Sequence, residues 1–340
     1  MAEAFLRLSA GDRLDALGVA ADQLGRPSHL LEKDVWVVWA IQQLFGSPIG
    51  ASLVFKGGTS LSKAYQVIDR FSEDVDLTFD IRALIPDLLD GREDAMPVSS
   101  SEERRWSKRV RQALPEWVAG TVQPILQQAL EQDGIEAELR LDGDKLFINY
   151  PNLAQGTGYV SPSVMLEFGA RSTGEPASAR NIVCDAAAAI EGVEFPVARP
   201  RVMHAERTFW EKATAIHVFC LQARMRGDRF SRHWHDVFRL DEAGIAAVAI
   251  EDRALAAAVA RHKTMFFSEK AADGEKVNYD AAIAGHLQLV PSGDAFDLLA
   301  DDYRRMTEDG LLSIAPEPFN ILMDRCADIA RRVNTAFKAE

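Results

Sequence analysis

The sequence predicts an α+β protein with a mixed α/β N-terminal domain and a mainly helical C-terminal domain. Three observations support this fold class: an alternating strand pattern at 74–80, a hairpin pattern at 135–150, and helical spacing of apolar residues from Glu206 onward. A chain of 340 residues is long enough to bury a large core and to form two lobes.

The boundary between the two domains is expected between Arg180 and Ala205, before the helical patterns begin. The N-terminal domain then covers residues 1–200, with its core at 28–180, and the C-terminal domain covers 201–340. No internal repeat or low-complexity tract interrupts either part.

Composition points to a cytoplasmic protein that does not enter a membrane. The three cysteines are scattered, without a CxxC spacing, and the chain shows no secretory leader, which favours a reducing compartment. No apolar run approaches the roughly 20 residues that cross a bilayer. The net charge of −13 argues against broad, nonspecific binding of nucleic acid.

The first elements are predicted to be helices. Residues up to about Gly25 have helical spacing, and Pro27 marks a turn after which Ser28 is expected to cap the next helix. The segment Leu31–Ile41 starts with charged residues and becomes apolar nearly all round, which predicts a helix buried on most sides.

A glycine turn follows a short apolar run. Gly57 and Gly58 let the backbone approach a ligand closely, and free N–H groups at a helix start suit an anion. Either Thr59 or Ser60 can cap that helix. Apolar spacing predicts that the helix continues as far as Ile68.

The next strand carries a row of polar side chains, most of them acidic. From 74 to 80 the residues alternate, so that Asp74 and Asp76 point to the same side while Val75 and Leu77 point to the other. Two carboxylates this close repel each other unless a cation lies between them. Mg²⁺ bridged to substrate phosphates is the usual occupant of such a pair.

The remaining elements of the N-terminal domain are mostly regular. Residues 86–101 are predicted as a loop or insertion, and 102–132 as helix interrupted near Pro115. A hairpin turn is expected at 142–144, and Ser163–Phe168 is predicted as a short strand that carries Glu167.

In the C-terminal domain, helical spacing places Lys212 on the rim of an apolar face. A second helix, at 231–240, carries Asp236 on the same side as His233. A final helix passes through Met323 and Val333, and the last hundred residues contain no motif that we assign.

Two basic clusters stand out against the acidic composition. One is Arg104, Arg105, Lys108, Arg109 and Arg111; the other is Arg224, Arg226, Arg229 and Arg232. A solvated helix face is the favoured interpretation of each, although a strand of nucleic acid would need one or both.

An ordered set of motifs resembles the AbiEii-type nucleotidyltransferase toxins, to which the MenT toxins are similar. The motifs are EKD-x-W at 32–36, FKGGTSLSKAY at 55–65, RFSEDVDL at 70–77, LEFG at 166–169, ERTFWEKATAIH at 206–217 and SRHWHDVFRL at 231–240. The resemblance covers about residues 28–240.

This resemblance implies a polymerase-β-like nucleotidyltransferase domain with a mixed sheet. It implies transfer of a nucleotide from an NTP, dependent on Mg²⁺ or Mn²⁺, with the 3′ end of tRNA as the expected acceptor. It also implies a role as the toxin of a type IV toxin–antitoxin or phage-defence system, with a cognate antitoxin encoded nearby.

The resemblance also assigns roles to residues. The expected metal ligands are Asp74, Asp76 and Glu167. Lys212 and Asp236 are expected to reach the cleft from the C-terminal domain as further catalytic residues. The expected nucleotide-binding residues are Lys56, Gly57, Gly58, Thr59, Ser60 and Arg70, with Lys33 and Asp34 as possible additions. An ion pair with Glu73 or Asp74 is the alternative for Arg70.

In the expected reaction an acceptor oxygen attacks the α-phosphorus in line and pyrophosphate leaves, with Glu167 as base or as ligand of a second metal. Three alternatives stay open: a small-molecule acceptor, a protein hydroxyl acceptor, and a non-catalytic module that binds NTP. A zinc site at His233 and His235 is disfavoured because residues i and i+2 of a helix point to different sides.

Overall fold

The computed structural model describes residues 3–70, 72, 74–154, 161–223, 229–308, 312 and 316–338. The chain forms two compact units. The first comprises Met1–Ala64, Ser72–Ala95 and Arg105–Met203, and the second comprises Tyr65–Phe71, Met96–Arg104 and His204–Glu340.

All strands of the described residues lie in the first unit. They are β1 (Glu3–Ala4), β2 (Leu53–Lys56), β3 (Asp74–Phe79), β4 (Glu138–Asp142), β5 (Lys145–Asn149), β6 (Ser163–Gly169), β7 (Ala177–Ala179), β8 (Ile182–Val183), β9 (Val193–Glu194), β10 (Val197–Ala198) and β11 (Arg201–Met203). Seven of them form a mixed sheet in the order β4-β5-β6-β3-β2-β11-β7. Within it, β3 runs parallel to β6 and β11 runs parallel to β2, while the other neighbours are antiparallel.

The helices are distributed over both units. They are α1 (Ala10–Leu24), α2 (Ser28–Gly46), α3 (Gly57–Lys63), α4 (Ile81–Leu84), α5 (Pro86–Leu89), α6 (Ser100–Trp117), α7 (Gln123–Asp133), α8 (Ala205–Gln222), α9 (Arg232–Glu242), α10 (Ile245–Glu251), α11 (Arg253–Phe266), α12 (Tyr279–Ala282), α13 (Asp294–Glu308) and α14 (Phe319–Lys338). Within the described ranges, none of them combines the length and the apolar character that spanning a membrane requires.

The predicted fold class, α+β with a mixed sheet and a mainly helical C-terminal part, is confirmed. The alternation of β3 and β6 explains the core of the first unit. Val75 and Leu77 of β3, like Val164 and Leu166 of β6, are buried on one face of the sheet. Burial of side chains of this size provides about 1.5–3 kcal/mol each, which fixes the register of the strands.

The predicted buried helix is α2, whose residues from Leu31 to Ile41 are all buried. Its Trp36 stacks on Tyr150 with ring centroids 5.2 Å apart. The prediction that Ser28 caps it is wrong: Ser28 is the first helical residue, and its hydroxyl donates to the carbonyl of Leu17. Pro27 takes the capping position instead.

The predicted hairpin at 142–144 and the strand around Glu167 are both confirmed, as β4-β5 and β6. The strand at 74–80 ends one residue earlier, because the Asp80 side chain accepts a hydrogen bond from the backbone N–H of Arg82 and caps α4. The predicted loop at 86–101 contains the short helix α5, and α6 begins at Ser100.

Two helix predictions need correction. The helix after the glycine turn does not reach Ile68 but ends at Lys63, and Gln66 adopts a left-handed φ of 55° that stops helical continuation. The break expected near Pro115 comes after it: Pro115 lies within α6, and a π-helical turn at Val118–Val122 separates α6 from α7.

In the second unit, α8 is the central helix and packs against α9, α10 and α11. Trp210 of α8 donates its indole N–H to the carbonyl of Ala249 at 2.9 Å, and Trp234 of α9 donates to the carbonyl of Leu289 at 2.7 Å. These bonds satisfy the polar edges of two fully buried aromatic side chains, so both can be part of the core.

Candidate active site

The acidic side of β3 lies on the accessible face of the sheet. Asp74 and Asp76 are partly exposed, while Val75 and Leu77 between and beside them are buried. The two carboxylates therefore lie on one face of the strand, as alternation requires. Neighbouring strands determine which charges surround them.

A row of four charged residues crosses the sheet at Asp76. Asp76 pairs with Lys56 of β2 on one side and with Glu167 of β6 on the other, and Glu167 pairs with Lys145 of β5. Residues opposite each other on adjacent strands share a face, so the order of charges across four strands is Lys, Asp, Glu, Lys.

Lys145 holds Glu167 in an ion pair. Its Nζ lies 2.9 Å from Glu167 Oε2, and the two side chains are 35% and 43% exposed, so water still reaches both. The hydrogen bond to Glu167 raises the pKa of Lys145, and the carboxylates of Asp144 and Asp74 act in the same direction. Lys145 is therefore a stable cation beside the carboxylates.

The glycine turn lies directly against β3. Gly57 has a φ of +76°, and a Cβ added to it would collide with the carboxylate of Asp76. The Thr59 hydroxyl donates to the backbone carbonyl of Asp74, which joins α3 to the first residue of β3. Glycine at position 57 thus serves both the turn and the placement of Asp76.

Thr59 and Ser60 are buried, and their hydroxyls bond within the protein. Ser60 donates to the carbonyl of Gly57 at 2.8 Å, which stabilises the turn from inside. Gly58 is buried at the start of α3, and Lys56, just before the turn, is partly exposed. Nucleotide binding by these four residues stays a prediction.

The donor set fits a metal that is shared with a substrate. Mg²⁺ prefers oxygen ligands and is usually held by one or two carboxylates together with substrate phosphates. Asp74 and Asp76 provide such a pair, whereas Glu167 is engaged by Lys145. Among the described residues no group of three or more potential ligands is arranged to hold a metal by itself.

Lys33 and Asp34 lie inside the first unit, away from solvent. Asp34 pairs with Lys63 at 2.6 Å and accepts a hydrogen bond from the backbone N–H of Asp185, and Lys63 also contacts Asp185 at 2.7 Å. Lys33 donates to the carbonyl of Ser161 at 3.3 Å. Burial raises the pKa of Asp34, although Lys63 opposes that shift.

Sequence reasoning missed this cluster because Asp34, Lys63 and Asp185 come from distant parts of the chain. It fastens the last residue of α3 to α2, at the opposite end of the helix from the glycine turn. The only local signal for Lys63 was its place in the motif that follows Gly57 and Gly58.

The second unit contains a charged network centred on Asp236. Its side chain is fully buried and accepts hydrogen bonds from Nε and Nη2 of Arg70 at 2.6 and 2.7 Å, and it pairs with Nζ of Lys212 at 2.8 Å. Burial by itself would raise the pKa of Asp236, but Arg70 and Lys212 outweigh burial and hold that pKa well below its usual range.

Arg70 was predicted to contact phosphate or to pair with Glu73 or Asp74. Its guanidinium is held by Asp236, and both residues belong to the second unit. Phe71 and Glu73 of the same motif lie outside the described residues. Nucleotide binding by Arg70 stays a prediction.

A second ion pair in this unit involves Asp69, which the sequence did not single out. Arg239 contacts both oxygens of Asp69, and Nε2 of His235 lies 3.5 Å from Oδ1 without the alignment of a hydrogen bond. Contacts with His235 and Arg239 hold the pKa of Asp69 well below its usual range. Asp69 and Arg70 thus fasten one segment to α9 through consecutive side chains.

Residues 40–325 match the family described as nucleotidyl transferase AbiEii toxin, type IV toxin–antitoxin system. That range includes the glycine turn, the carboxylates of β3 and β6, Lys212 and Asp236, and it begins after Lys33 and Asp34.

A solved structure with detectable similarity is the nucleotidyltransferase toxin MenT4 from Mycobacterium tuberculosis H37Rv. The identity is 15% and the TM-score is 0.45, over 95% of this chain and 90% of MenT4. No curated protein sequence matches the chain.

Proposed function

Because this chain belongs to the AbiEii family of nucleotidyltransferase toxins of type IV toxin–antitoxin systems, we propose that it transfers a nucleotide from an NTP to the 3′ end of tRNA. We propose further that the transfer depends on a divalent metal, Mg²⁺ or Mn²⁺, and that an antitoxin encoded nearby restrains it. The resemblance of the motifs to the toxin family supports these finer assignments, including a role in phage defence in the cytoplasm.

The observation that carries the proposal is the contact between the glycine turn and β3. The carboxylate of Asp76 occupies the space that a side chain on residue 57 would need. A ligand that approaches the backbone of the turn is therefore beside Asp76 and, two residues away on the same face, Asp74. A polyphosphate and its counterion need this combination of backbone N–H groups and carboxylates.

When bound, the metal would neutralise phosphate charge and polarise the phosphorus–oxygen bonds. Asp74 and Asp76 would hold it together with phosphate oxygens. Lys56 and Lys145, at the two ends of the charged row, would balance the remaining negative charge of the triphosphate and of Glu167. The protein's part is thus mainly placement and charge balance.

The proposed reaction forms one bond and breaks another. The acceptor hydroxyl oxygen bonds to the α-phosphorus, the bond from that phosphorus to the α–β bridging oxygen breaks, and pyrophosphate leaves with the electron pair. We assign the hydroxyl proton to Glu167, which meets Lys145 through Oε2 and keeps Oε1 for the proton.

Lys212 and Asp236 are proposed to be required for transfer. The support is their position in the matched family range and the network that they form with Arg70 inside the second unit. Asp236 keeps Lys212 and Arg70 in fixed positions, so we assign it a positioning role.

The test is to incubate the purified protein with Mg²⁺, total tRNA and each α-labelled NTP in turn. The Asp74→Asn/Asp76→Asn variant is run alongside, with thermal unfolding to show that it is folded. Label on tRNA that requires both carboxylates supports the proposal.

Absence of label on tRNA, with a thermal shift on NTP addition, would instead indicate a small-molecule or protein acceptor. NTP binding without turnover on any acceptor would indicate a non-catalytic module. Chelation of the divalent metal should abolish labelling, and transfer that survives chelation would contradict the metal assignment.

A further inference from the structure

One face of α6 is basic in a protein whose net charge is −13. Within the first unit, Arg105, Lys108, Arg109 and Arg111 are all exposed on this helix. At 100° per residue they span less than half of the helix circumference, and no apolar residue lies among them. We call these four side chains the α6 basic face.

The other side of α6 is buried and holds the helix in place. Trp106, Val110 and Leu114 are in the core. At the end of the helix, Trp117 stacks on Phe79 of β3 with ring centroids 4.0 Å apart and contacts Phe168 of β6 edge-on at 5.5 Å. The basic face is therefore attached rigidly to the two strands that carry the acidic residues.

The position of Phe79 and Phe168 also defines which side of the sheet α6 covers. They alternate with Asp74, Asp76 and Glu167 along their strands, so they point to the opposite face of the sheet. The α6 basic face is thus separated from the carboxylates by the sheet. It does not belong to the nucleotide site.

Internal ion pairs do not account for three of these four charges. Among the described residues, no carboxylate pairs with Lys108, Arg109 or Arg111, whereas Arg105 does have a further interaction. Three of the four are arginines, whose planar guanidinium groups suit phosphate oxygens. Arg105 and Arg109 are about 6 Å apart along the helix axis, since each residue rises about 1.5 Å.

We propose that the α6 basic face is a docking surface for the sugar–phosphate backbone of the RNA acceptor, at a part of the RNA remote from the reacting 3′ end. This rests on the proposed function for the acceptor class, and adds where the body of the RNA is held. Binding there is electrostatic and independent of sequence, because no aromatic side chain is exposed among the four for base stacking.

The composition of the face favours RNA over the other polyanions. A helix that docks on a membrane needs an exposed apolar side, and the apolar side of α6 is buried. The centre of a stable protein interface is usually apolar or aromatic, and this face has neither character. The remaining interpretation is charge complementarity between the α6 basic face and a phosphate backbone.

The experiment compares two matched double variants. Lys108→Gln/Arg109→Gln removes two charges from the α6 basic face, and Arg304→Gln/Arg305→Gln removes two exposed charges from α13. Fluorescence anisotropy measures tRNA affinity over a range of salt concentrations, and labelled NTP transfer gives KM and kcat for tRNA. Thermal unfolding checks both folds.

The α6 variant should bind tRNA roughly tenfold more weakly, with a salt slope smaller by between one and two. Its KM for tRNA should rise while kcat and NTP binding stay unchanged, and an RNA limited to the acceptor end should be used equally well by variant and wild type. The α13 variant should behave as wild type.

Two of the following results would overturn the docking surface, and the other would overturn only the RNA acceptor. If the wild type labels tRNA and the α6 variant binds it with an unchanged salt slope, the docking surface is wrong and the proposed function stands. If the wild type labels no tRNA but its RNA binding still depends on α6, the acceptor is wrong and the docking surface stands. Loss of binding to an acidic partner protein, with RNA binding intact, would assign the face to that partner.

Discussion

The carboxylate of Asp76 lies where a side chain on Gly57 would have to be. One residue lies in a turn and the other on a strand, and a side chain at position 57 would displace the carboxylate of Asp76.

Gly57→Ala should disable the enzyme while most of the fold survives. A φ of +76° strains any side chain by about 1–3 kcal/mol, and the new methyl group would displace the carboxylate of Asp76. We expect transfer to fall at least a hundredfold in a labelled-NTP assay. Gly18→Ala is the control, since its Cβ meets nothing and an alanine in α1 should stabilise the unit slightly. Full activity in Gly57→Ala would contradict the placement of Asp76.

Replacing either carboxylate of β3 should reduce catalysis and leave folding intact. Both side chains are partly exposed, so Asp74→Asn or Asp76→Asn buries no unpaired group. A loss of several kcal/mol of transition-state stabilisation corresponds to roughly a hundredfold to ten-thousandfold in rate. Asp142→Asn, at the exposed end of β4, should have no effect. If Asp74→Asn or Asp76→Asn fails to fold, the carboxylates are structural and the assignment is wrong.

Lys145→Met should change the affinities for metal and for nucleotide in opposite directions. The variant lacks the cation that contacts Glu167, so the negative charge of the carboxylates is no longer partly neutralised by the protein. Mn²⁺ without nucleotide should therefore bind several-fold more tightly. NTP should bind several-fold more weakly, because a positive charge near the triphosphate is lost. Lys145→Arg should restore both towards wild type. Calorimetry measures the two affinities, and equal behaviour of the methionine and arginine variants would refute a charge-based role.

The network around Asp236 predicts which of two variants loses more stability. Asp236→Asn leaves two buried cations without their carboxylate and should cost about 3–5 kcal/mol in the free energy of unfolding. Lys212→Met keeps the two-bond pair of Arg70 and Asp236 and should cost less. Urea unfolding at neutral pH measures both. The reverse order would show that Lys212, and not Arg70, is the main partner of Asp236.

The stability of the protein should fall below about pH 6.5 because of His217. Its Nδ1 accepts the backbone N–H of Gln288, and burial, with a smaller contribution from His286, lowers its pKa to about 4. Between pH 6.5 and 4 the unfolded state therefore binds a proton that the folded state does not. His217 alone should lower the free energy of unfolding by about 3 kcal/mol across that window.

The control for this pH dependence is His217→Asn, which can still accept the Gln288 hydrogen bond but does not titrate. Its stability should change less over the same range of pH. If chemical unfolding gives the same pH profile for both proteins, another group is responsible.

Elements defined by local alternation could be predicted from the sequence. The strand at Asp74, the hairpin before Lys145 and the strand at Glu167 all follow from side chains that alternate within a few residues. The end of α3 was overestimated because the apolar residues after Lys63 have helical spacing, although the segment from Tyr65 to Phe71 folds with the second unit. The spacing of apolar residues within a segment does not show which unit that segment packs with.

The candidate site residues also divide into those that a local pattern predicts and those whose partners depend on the fold. That Asp74 and Asp76 share a face is a local property of a strand, and the sequence sufficed for it. That Glu167 is opposite Asp76 and bonded to Lys145 depends on the order of strands in the sheet, which the sequence does not reveal. The partner of Arg70 that the structure shows, Asp236, is 166 residues away, and no local pattern points to it.

Because of the segment that carries Asp69 and Arg70, one cut in the chain cannot separate the protein into its two units. The chain leaves the first unit after Ala64, contributes this segment to the second unit, and returns at Ser72 just ahead of β3. A single cut near Met203 would leave Arg70 on one fragment and Asp236 on the other. Asp236 would then lose the contact with Arg70. Neither unit is therefore a transplantable module, because each holds residues from separate parts of the chain.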